Sequence, residues 1–373
     1  MRKESFKNFT SQEHLRDNNH EDIRVRVEHL ERQEPYYDAL LDEELLEQVG
    51  REKNRPDLKS FEGVLSSEAI EKDEKLVENR KKQWTKNAEE LPEDEAHRDN
   101  LEKKRADALE VACALLDEQL WYDGARTVHA SEYDDFENGC DMVLEFENDI
   151  IETLEDLSKV AISIDITSGK GSLEDKISKN IRSIKNGSGK NIKYYESATE
   201  NAGGEPLRGS VTVHTPMVLA LDGNKADSLI EHMAKLITSE GIWKTKKTKQ
   251  RNNDLSVERP ATEQEITLHK ERWDSVNDSI LHDPLQISFL EQILAQSEFY
   301  LRNKEHLGLS KEAVEELEDV TERLAEQKSF VEQTIKERYK KRGVQENDIM
   351  ENIESGKDNT TVKMIKEKME ELF

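Results

Sequence analysis

The stretch Val160-Ala-Ile-Ser-Ile-Asp-Ile-Thr167 is the clearest β-strand pattern in the chain, and a helical pattern follows it. Its even-numbered residues are all Val or Ile and share one face, whereas Asp165 lies on the other. Ser168-Gly-Lys-Gly171 predicts a turn, and Ser172 is placed as the N-cap of the next helix. Because this strand reads as buried on both faces, Asp165 is costly unless it is paired, hydrogen-bonded or metal-bound.

The segments around this strand predict a layered α/β core over residues 96–238. A broad apolar stripe from Leu101 to Leu120 predicts a buried helix before it. The further elements are strands at Arg126–Ala130, Asp141–Phe146, Asn191–Tyr195 and Val211–Leu221, the last with a strained middle at Pro216, and a helix at Ala226–Ile237. The strand–helix–strand order requires at least one parallel pair in a mixed sheet.

The regions on either side are rich in charge and helical in pattern. Residues 1–95 read as a charged helical arm and residues 239–262 as a basic linker. Residues 263–342 read as a helical hairpin, in which Leu317, Leu324 and Val331 repeat by seven. That spacing would allow self-association through residues 285–340, and residues 343–373 are expected to form a weakly ordered tail.

Composition limits the class of protein. The 373 residues include 37% charged residues and only two cysteines, which excludes a disulfide framework or a zinc cluster built on cysteines. The chain begins without the apolar run of a signal peptide, and no apolar stretch approaches the roughly 20 residues that cross a bilayer. We therefore expect a soluble, cytoplasmic protein with no membrane partner.

The chain is acidic overall, but one segment beside the predicted site is basic. A net charge of −27 repels phosphate backbones at long range, which argues against a nucleic-acid partner. Residues 170–193, however, hold seven Lys or Arg and only two acidic residues, an excess of five. The nucleic-acid contacts predicted from this local excess are Lys176, Lys179, Arg182 and Lys185.

Asp141 is the natural partner of Asp165. It opens the preceding strand, directly after the tight turn at Asn138-Gly139. Adjacent antiparallel strands would bring the two carboxylates together, and paired carboxylates with open positions hold Mg²⁺. Such an ion activates water and stabilises a phosphoryl transition state.

Over residues 100–235 this order of elements, with Asp141 opening one strand and Asp165 late in the next, resembles the PD-(D/E)XK nuclease superfamily. The stretch from Ser131 to Thr167 is similar to bacterial members of that superfamily. The resemblance implies a restriction-endonuclease-like core that hydrolyses DNA or RNA with Mg²⁺ or Mn²⁺. Asp141 and Asp165 would then hold the metal, and Glu110 in the first helix would assist.

The sequence departs from the family pattern at one position. The pattern places a lysine two residues after the second acid, where this chain has Thr167. Lys170, Lys176 and Lys179 are candidates for a displaced lysine that orients the attacking water. The alternative is a site that binds metal poorly and is inactive.

Simpler interpretations stand beside these hypotheses. Asp165 could bond to neighbouring backbone, Asp141 could end a turn, and Glu110 and the lysines could be solvated surface residues. The competing function is a non-enzymatic scaffold or interaction protein that uses the hairpin, with the core as a degenerate relic.

Overall fold

The computed structural model describes residues 24–48, 55–116, 125–146, 161–167, 170–186, 189–200, 206–252 and 263–372. Within these ranges the chain is mixed α/β and mostly helical, with a small mixed sheet, as the sequence predicted. The strands are β1 (Ala125–His129), β2 (Met142–Phe146), β3 (Ala161–Thr167), β4 (Lys190–Glu200), β5 (Pro206–Val213) and β6 (Pro216–Ala220).

The helices account for most of the remainder. They are α1 (24–41), α2 (Glu43–Gln48), α3 (Ser67–Glu89), α4 (Glu93–Leu116), α5 (Glu132–Asn138), α6 (Lys170–Lys185), α7 (Gly223–Asn252), α8 (Glu263–Leu281), α9 (Leu285–Arg302), α10 (Lys304–Leu307), α11 (Lys311–Lys341), α12 (Glu346–Gly356) and α13 (Asn359–Glu371). A short 3₁₀ turn, Leu58–Phe61, precedes α3.

The main sheet has four strands in the order β1-β2-β3-β6. β1 pairs antiparallel with β2 and β2 antiparallel with β3, while β6 lies parallel to β3 on the far side. Every residue of β2, β3 and β6 is buried, so Asp165 lies in a strand that is covered on both faces. β4 and β5 form a separate two-stranded antiparallel ribbon.

The last strand, β6, has one edge paired with β3, and its other edge meets helix α9. Two buried glutamines of α9 bond to its backbone. Gln296 accepts from Val218 N at 2.9 Å and donates to Val218 O at 2.8 Å. Gln292 makes the same pair of bonds with Ala220, both at 2.9 Å. The amide side chains stand in for a further strand and satisfy backbone groups that would otherwise be buried without partners.

The structure corrects three details of the core. The segment Val211–Leu221 is two strands in different sheets, because Pro216 starts β6 rather than straining the middle of one strand. Helix α5 lies between two predicted strands, where the sequence predicted no helix. Helix α6 begins at Lys170, so Ser172 lies inside its first turn and is not the N-cap.

The flanking regions also differ from the prediction. The boundaries expected at 95/96 and 238/239 fall inside α4 and α7, because both helices continue through them. The basic linker is helical as far as Asn252, and its residues 253–262 lie outside the described ranges. The hairpin is divided into α8, α9, α10 and α11, and the expected weakly ordered tail forms α12 and α13, whose Ile349, Ile353 and Ile365 are buried.

Candidate functional site

Strand pairing brings Asp141 and Asp165 to one end of the sheet. The backbone N–H of Asp141, directly before β2, donates to Ile164 O at 3.0 Å. Its side chain reaches across to β3, where Ile166 N donates to Asp141 Oδ2 at 2.6 Å. Both aspartates are buried, with 5% and 4% of their surface exposed. The two acids chosen from the sequence therefore meet where the antiparallel pairing predicted.

A glycine permits this close arrangement. Gly139 ends α5 in the left-handed conformation, with φ 62°, where its N–H bonds to Asp135 O at 3.0 Å. A Cβ at this position would lie 2.7 Å from Lys179 Nζ and 3.5 Å from Asp165 Oδ2. The absent side chain leaves room for a lysine head group beside the carboxylate of Asp165.

Two lysines bind Asp165 from different elements. Lys176 on α6 donates to Asp165 Oδ1 and, at 2.5 Å, to Ile166 O. Lys190, at the start of β4, lies 3.9 Å from Asp165 Oδ2 and donates to Gly139 O. The carboxylate is thus contacted on both oxygens by ammonium groups.

Thr167 occupies the position at which the family pattern has lysine, and it plays a different part. It is buried, and its Oγ1 lies 2.5 Å from Ser172 Oγ in the first turn of α6. Of the candidate displaced lysines, Lys176 is the one in hydrogen-bond contact with Asp165, while Lys179 is exposed near Gly139. The side chain of Lys170 lies outside the described part of the structure.

Glu110 faces the site from α4 and is only 15% exposed. Its Oε2 accepts from Arg55 Nη2 at 2.7 Å, and the same guanidinium donates from Nη1 to Asp135 Oδ2 at 2.9 Å. Arg55 belongs to the segment before the 3₁₀ turn, so an arginine of the N-terminal arm enters the acidic site.

The charges in this small volume change proton affinities. Burial, reinforced by the neighbouring carboxylates Glu110 and Asp165, raises the pKa of Asp141 well above its usual range. Burial opposes charge on Lys176, but Asp165, Asp141 and Glu110 outweigh it and raise its pKa. Burial dominates for Lys190 and lowers its pKa despite Asp165. Asp141 is thus a carboxylate whose negative charge is incompletely compensated.

The donors can be compared with what a metal ion needs. Among the residues that the structure describes, no group of three or more His, Cys, Asp or Glu side chains is arranged to hold a metal. Mg²⁺, however, commonly takes one or two protein carboxylates and fills its remaining positions with water and substrate oxygens. Asp141 and Asp165 match that smaller donor set. Burial is the main cause of the raised pKa of Asp141, and the charges of Glu110 and Asp165 add to it.

Some residues of the site are predicted by the sequence, and others are not. Of the four predicted nucleic-acid contacts, Lys179, Arg182 and Lys185 are exposed, whereas Lys176 is half-buried against Asp165. Lys190 was counted in the basic stretch but not placed in the site. Arg55 was missed, because nothing in the local sequence connects it with acids 55 and 80 residues away.

Two broader observations complete the description. Within the described ranges, none of the helices combines the length and apolar character needed to cross a membrane. No family model, curated protein or solved structure matches the chain.

Proposed function

We propose that this chain is a metal-dependent nuclease-like protein that hydrolyses nucleic-acid phosphodiesters. The observation that carries the proposal is the contact of Lys176 with Asp165. In the PD-(D/E)XK pattern the lysine comes from the strand itself, two residues after the acid. Here that position is Thr167, whose hydroxyl group is hydrogen-bonded to Ser172. Lys176, from the following helix, contacts Asp165 instead.

The order and direction of the elements support a restriction-endonuclease-like core. Helix α4 precedes three antiparallel strands, and after α6 the strand β6 joins β3 in parallel. The β4–β5 ribbon is inserted between α6 and β6. With α5 and the ribbon set aside, the remaining elements follow the helix, three-strand, helix, strand order on which the resemblance is based.

The residues divide the chemistry between them. Asp141 and Asp165 would hold Mg²⁺ or Mn²⁺, and Glu110 would assist from α4. Such an ion, when bound, would act as a Lewis acid toward the phosphate and would make water more acidic. Lys176, held as a cation by its acidic neighbours, orients the attacking water and offsets charge on the phosphate. Water would add to phosphorus and lose one proton to the solvent, the P–O ester bond would break, and the leaving alkoxide would take up one proton from the solvent to become the alcohol.

The exposed basic side chains would hold the substrate. Lys179, Arg182 and Lys185 project from α6, which also carries Lys176. Contacts of this kind attract phosphate without reading bases, so DNA and RNA are both candidates. A cytoplasmic location fits this proposal, since Cys113 and Cys140 are buried and are not joined in a disulfide.

A second function is favoured by one observation. Asp165 is contacted by both Lys176 and Lys190, so the lysines could be permanent counter-ions in a non-enzymatic protein. Such a protein would act as a scaffold. Self-association through residues 285–340 would need surfaces other than the heptad positions, because Leu317, Leu324 and Val331 are buried in the chain's own core.

A cleavage assay decides between the two functions. The parent protein and Asp165→Ala are incubated with plasmid DNA, single-stranded DNA and RNA, with Mn²⁺, Mg²⁺ or EDTA. Asp175→Ala is the matched control, since Asp175 is an exposed acid of α6. Cutting by the parent and the control, lost in EDTA and in Asp165→Ala, is the expected result. If the parent cuts none of the substrates with either metal, the scaffold function is favoured.

A further inference from the structure

Helix α6 and strand β3 face each other through a row of polar pairs. In the first pair Thr167 Oγ1 lies 2.5 Å from Ser172 Oγ, and in the second Lys176 donates to Asp165. From one pair to the next, the contact moves four residues along the helix and two residues back along the strand. These steps match in length, because four helical residues rise about 6 Å and two strand residues about 6–7 Å. Helix α6 therefore runs antiparallel to β3, and each element uses one face for both pairs.

The same step leads to a third pair, Ser163 and Asn180. Ser163 precedes Asp165 by two residues on the same face of β3, and Asn180 follows Lys176 by four residues on the same face of α6. Both residues are completely buried, with 0% of their surface exposed. The matched steps place the two side chains opposite each other in the interior between α6 and β3.

The third pair differs from the first two in its hydrogen bonding. Within the described ranges, Ser163 Oγ, Asn180 Nδ2 and Asn180 Oδ1 have no hydrogen-bond partner. Burying a hydroxyl or an amide without a partner is costly, and most such groups in folded proteins bond to protein or to ordered water. The pair therefore needs a ligand that both donates and accepts hydrogen bonds and is small enough for an enclosed position.

We propose that Ser163 and Asn180 form a binding site for one or two buried water molecules between α6 and β3. Water can donate to Asn180 Oδ1 and accept from Asn180 Nδ2, and Ser163 Oγ can take either role. Ordered buried waters make about three hydrogen bonds each, and this pair offers three atoms that need partners.

The water site ties α6 to β3 one helical turn beyond Lys176. Because the second and third pairs lie on the same two elements, this tie helps to fix the position of Lys176 relative to Asp165. The inference goes beyond the proposed function and does not depend on it. The buried water is expected whether the chain cleaves nucleic acid or acts as a scaffold.

The direct test is a crystal structure of the full chain at a resolution that places ordered water. The expected result is a water molecule within about 3.2 Å of Ser163 Oγ and of one amide atom of Asn180. A structure in which these atoms bond to each other or to other protein groups, with no water between them, overturns the proposal.

Thermal unfolding of Ser163→Ala gives a second test. The substitution removes only the hydroxyl group, so it neither overfills the core nor changes the strand. If Ser163 Oγ is bonded to water, the melting temperature should fall below that of the parent. If the hydroxyl has no partner, its removal relieves an unsatisfied polar group and the melting temperature should stay equal or rise, which overturns the proposal.

Ser210→Ala is the matched control. Ser210 is also a strand serine, but it is exposed on β5, where its hydroxyl bonds to Asn191 at 2.8 Å. It should melt like the parent, because water replaces a hydrogen bond lost at the surface.

Discussion

Replacing Gln296 by leucine tests whether helix α9 is an integral part of the sheet. Gln296 is completely buried, and its amide satisfies both Val218 N–H and Val218 C=O. Leucine has a similar volume but bonds to neither group. Each buried backbone group left without a partner costs about 1–3 kcal/mol. Leucine's extra apolar burial offsets about 1 kcal/mol. We therefore expect the free energy of unfolding to fall by about 3 kcal/mol.

The measurement is urea unfolding followed by circular dichroism, with Gln333→Leu as the control. Gln333 is exposed on α11 and bonds to Glu337, so its replacement should change the free energy of unfolding by no more than about 0.5 kcal/mol. A loss below about 1 kcal/mol in Gln296→Leu would refute the reasoning. Because Val218 is the register partner of Asp165, the same change should also disturb the candidate site.

Three further predictions concern the site itself. Because the pKa of Asp141 is raised in the folded state, its contribution to stability is present at acid pH and is lost as pH rises through that raised pKa. The new side chain in Asp141→Asn is neutral at every pH and can still accept a hydrogen bond from Ile166 N. In the absence of metal, this substitution should therefore raise the free energy of unfolding at pH 8 by roughly 1 kcal/mol or more. An unchanged melting temperature would count against this prediction. Gly139→Ala should lower the free energy of unfolding by about 1–2 kcal/mol, because φ at residue 139 is positive and the new Cβ would lie too close to Lys179 Nζ. A melting temperature like that of the parent would show that the lysine moves freely. Replacing both Arg182 and Lys185 by neutral residues should weaken binding to an oligonucleotide. The slope of log affinity against log salt concentration should fall by the amount expected for about two phosphate contacts. An unchanged slope would show that the substrate binds elsewhere.

The sequence predicted the centre of the fold well, because local periodicity decides it. The alternation around Asp165 marked β3, and the strand–helix–strand order predicted a parallel pair. The partner of β3 in that pair is β6, however, and the strand directly after the helix, β4, lies in the separate ribbon. Antiparallel pairing was enough to predict that Asp141 and Asp165 lie near each other at one end of two adjacent strands, and the pairing of β2 with β3 is antiparallel.

The elements that were missed depend on long-range contacts or on short local signals. Gln292 and Gln296 break the apolar pattern of α9, and polar residues in a helix usually read as exposed. Arg55 meets acids that are distant in sequence. Helix α5 has only seven residues, too few to show a helical period, although Ser131 and Gly139 are recognisable caps. Which lysine would serve Asp165 could not be chosen from spacing alone, because it comes from a different element.

The central claim is that Lys176 supplies the lysine of the catalytic site. The most direct test compares the Mn²⁺-dependent cleavage rates of the parent, Lys176→Met and the double variant Thr167→Lys/Lys176→Met. The account predicts that Lys176→Met loses about a hundredfold or more in rate. It also predicts that the double variant regains part of that loss, since position 167 lies on the same strand face as Asp165. Cleavage by Lys176→Met at the parent rate would contradict the account.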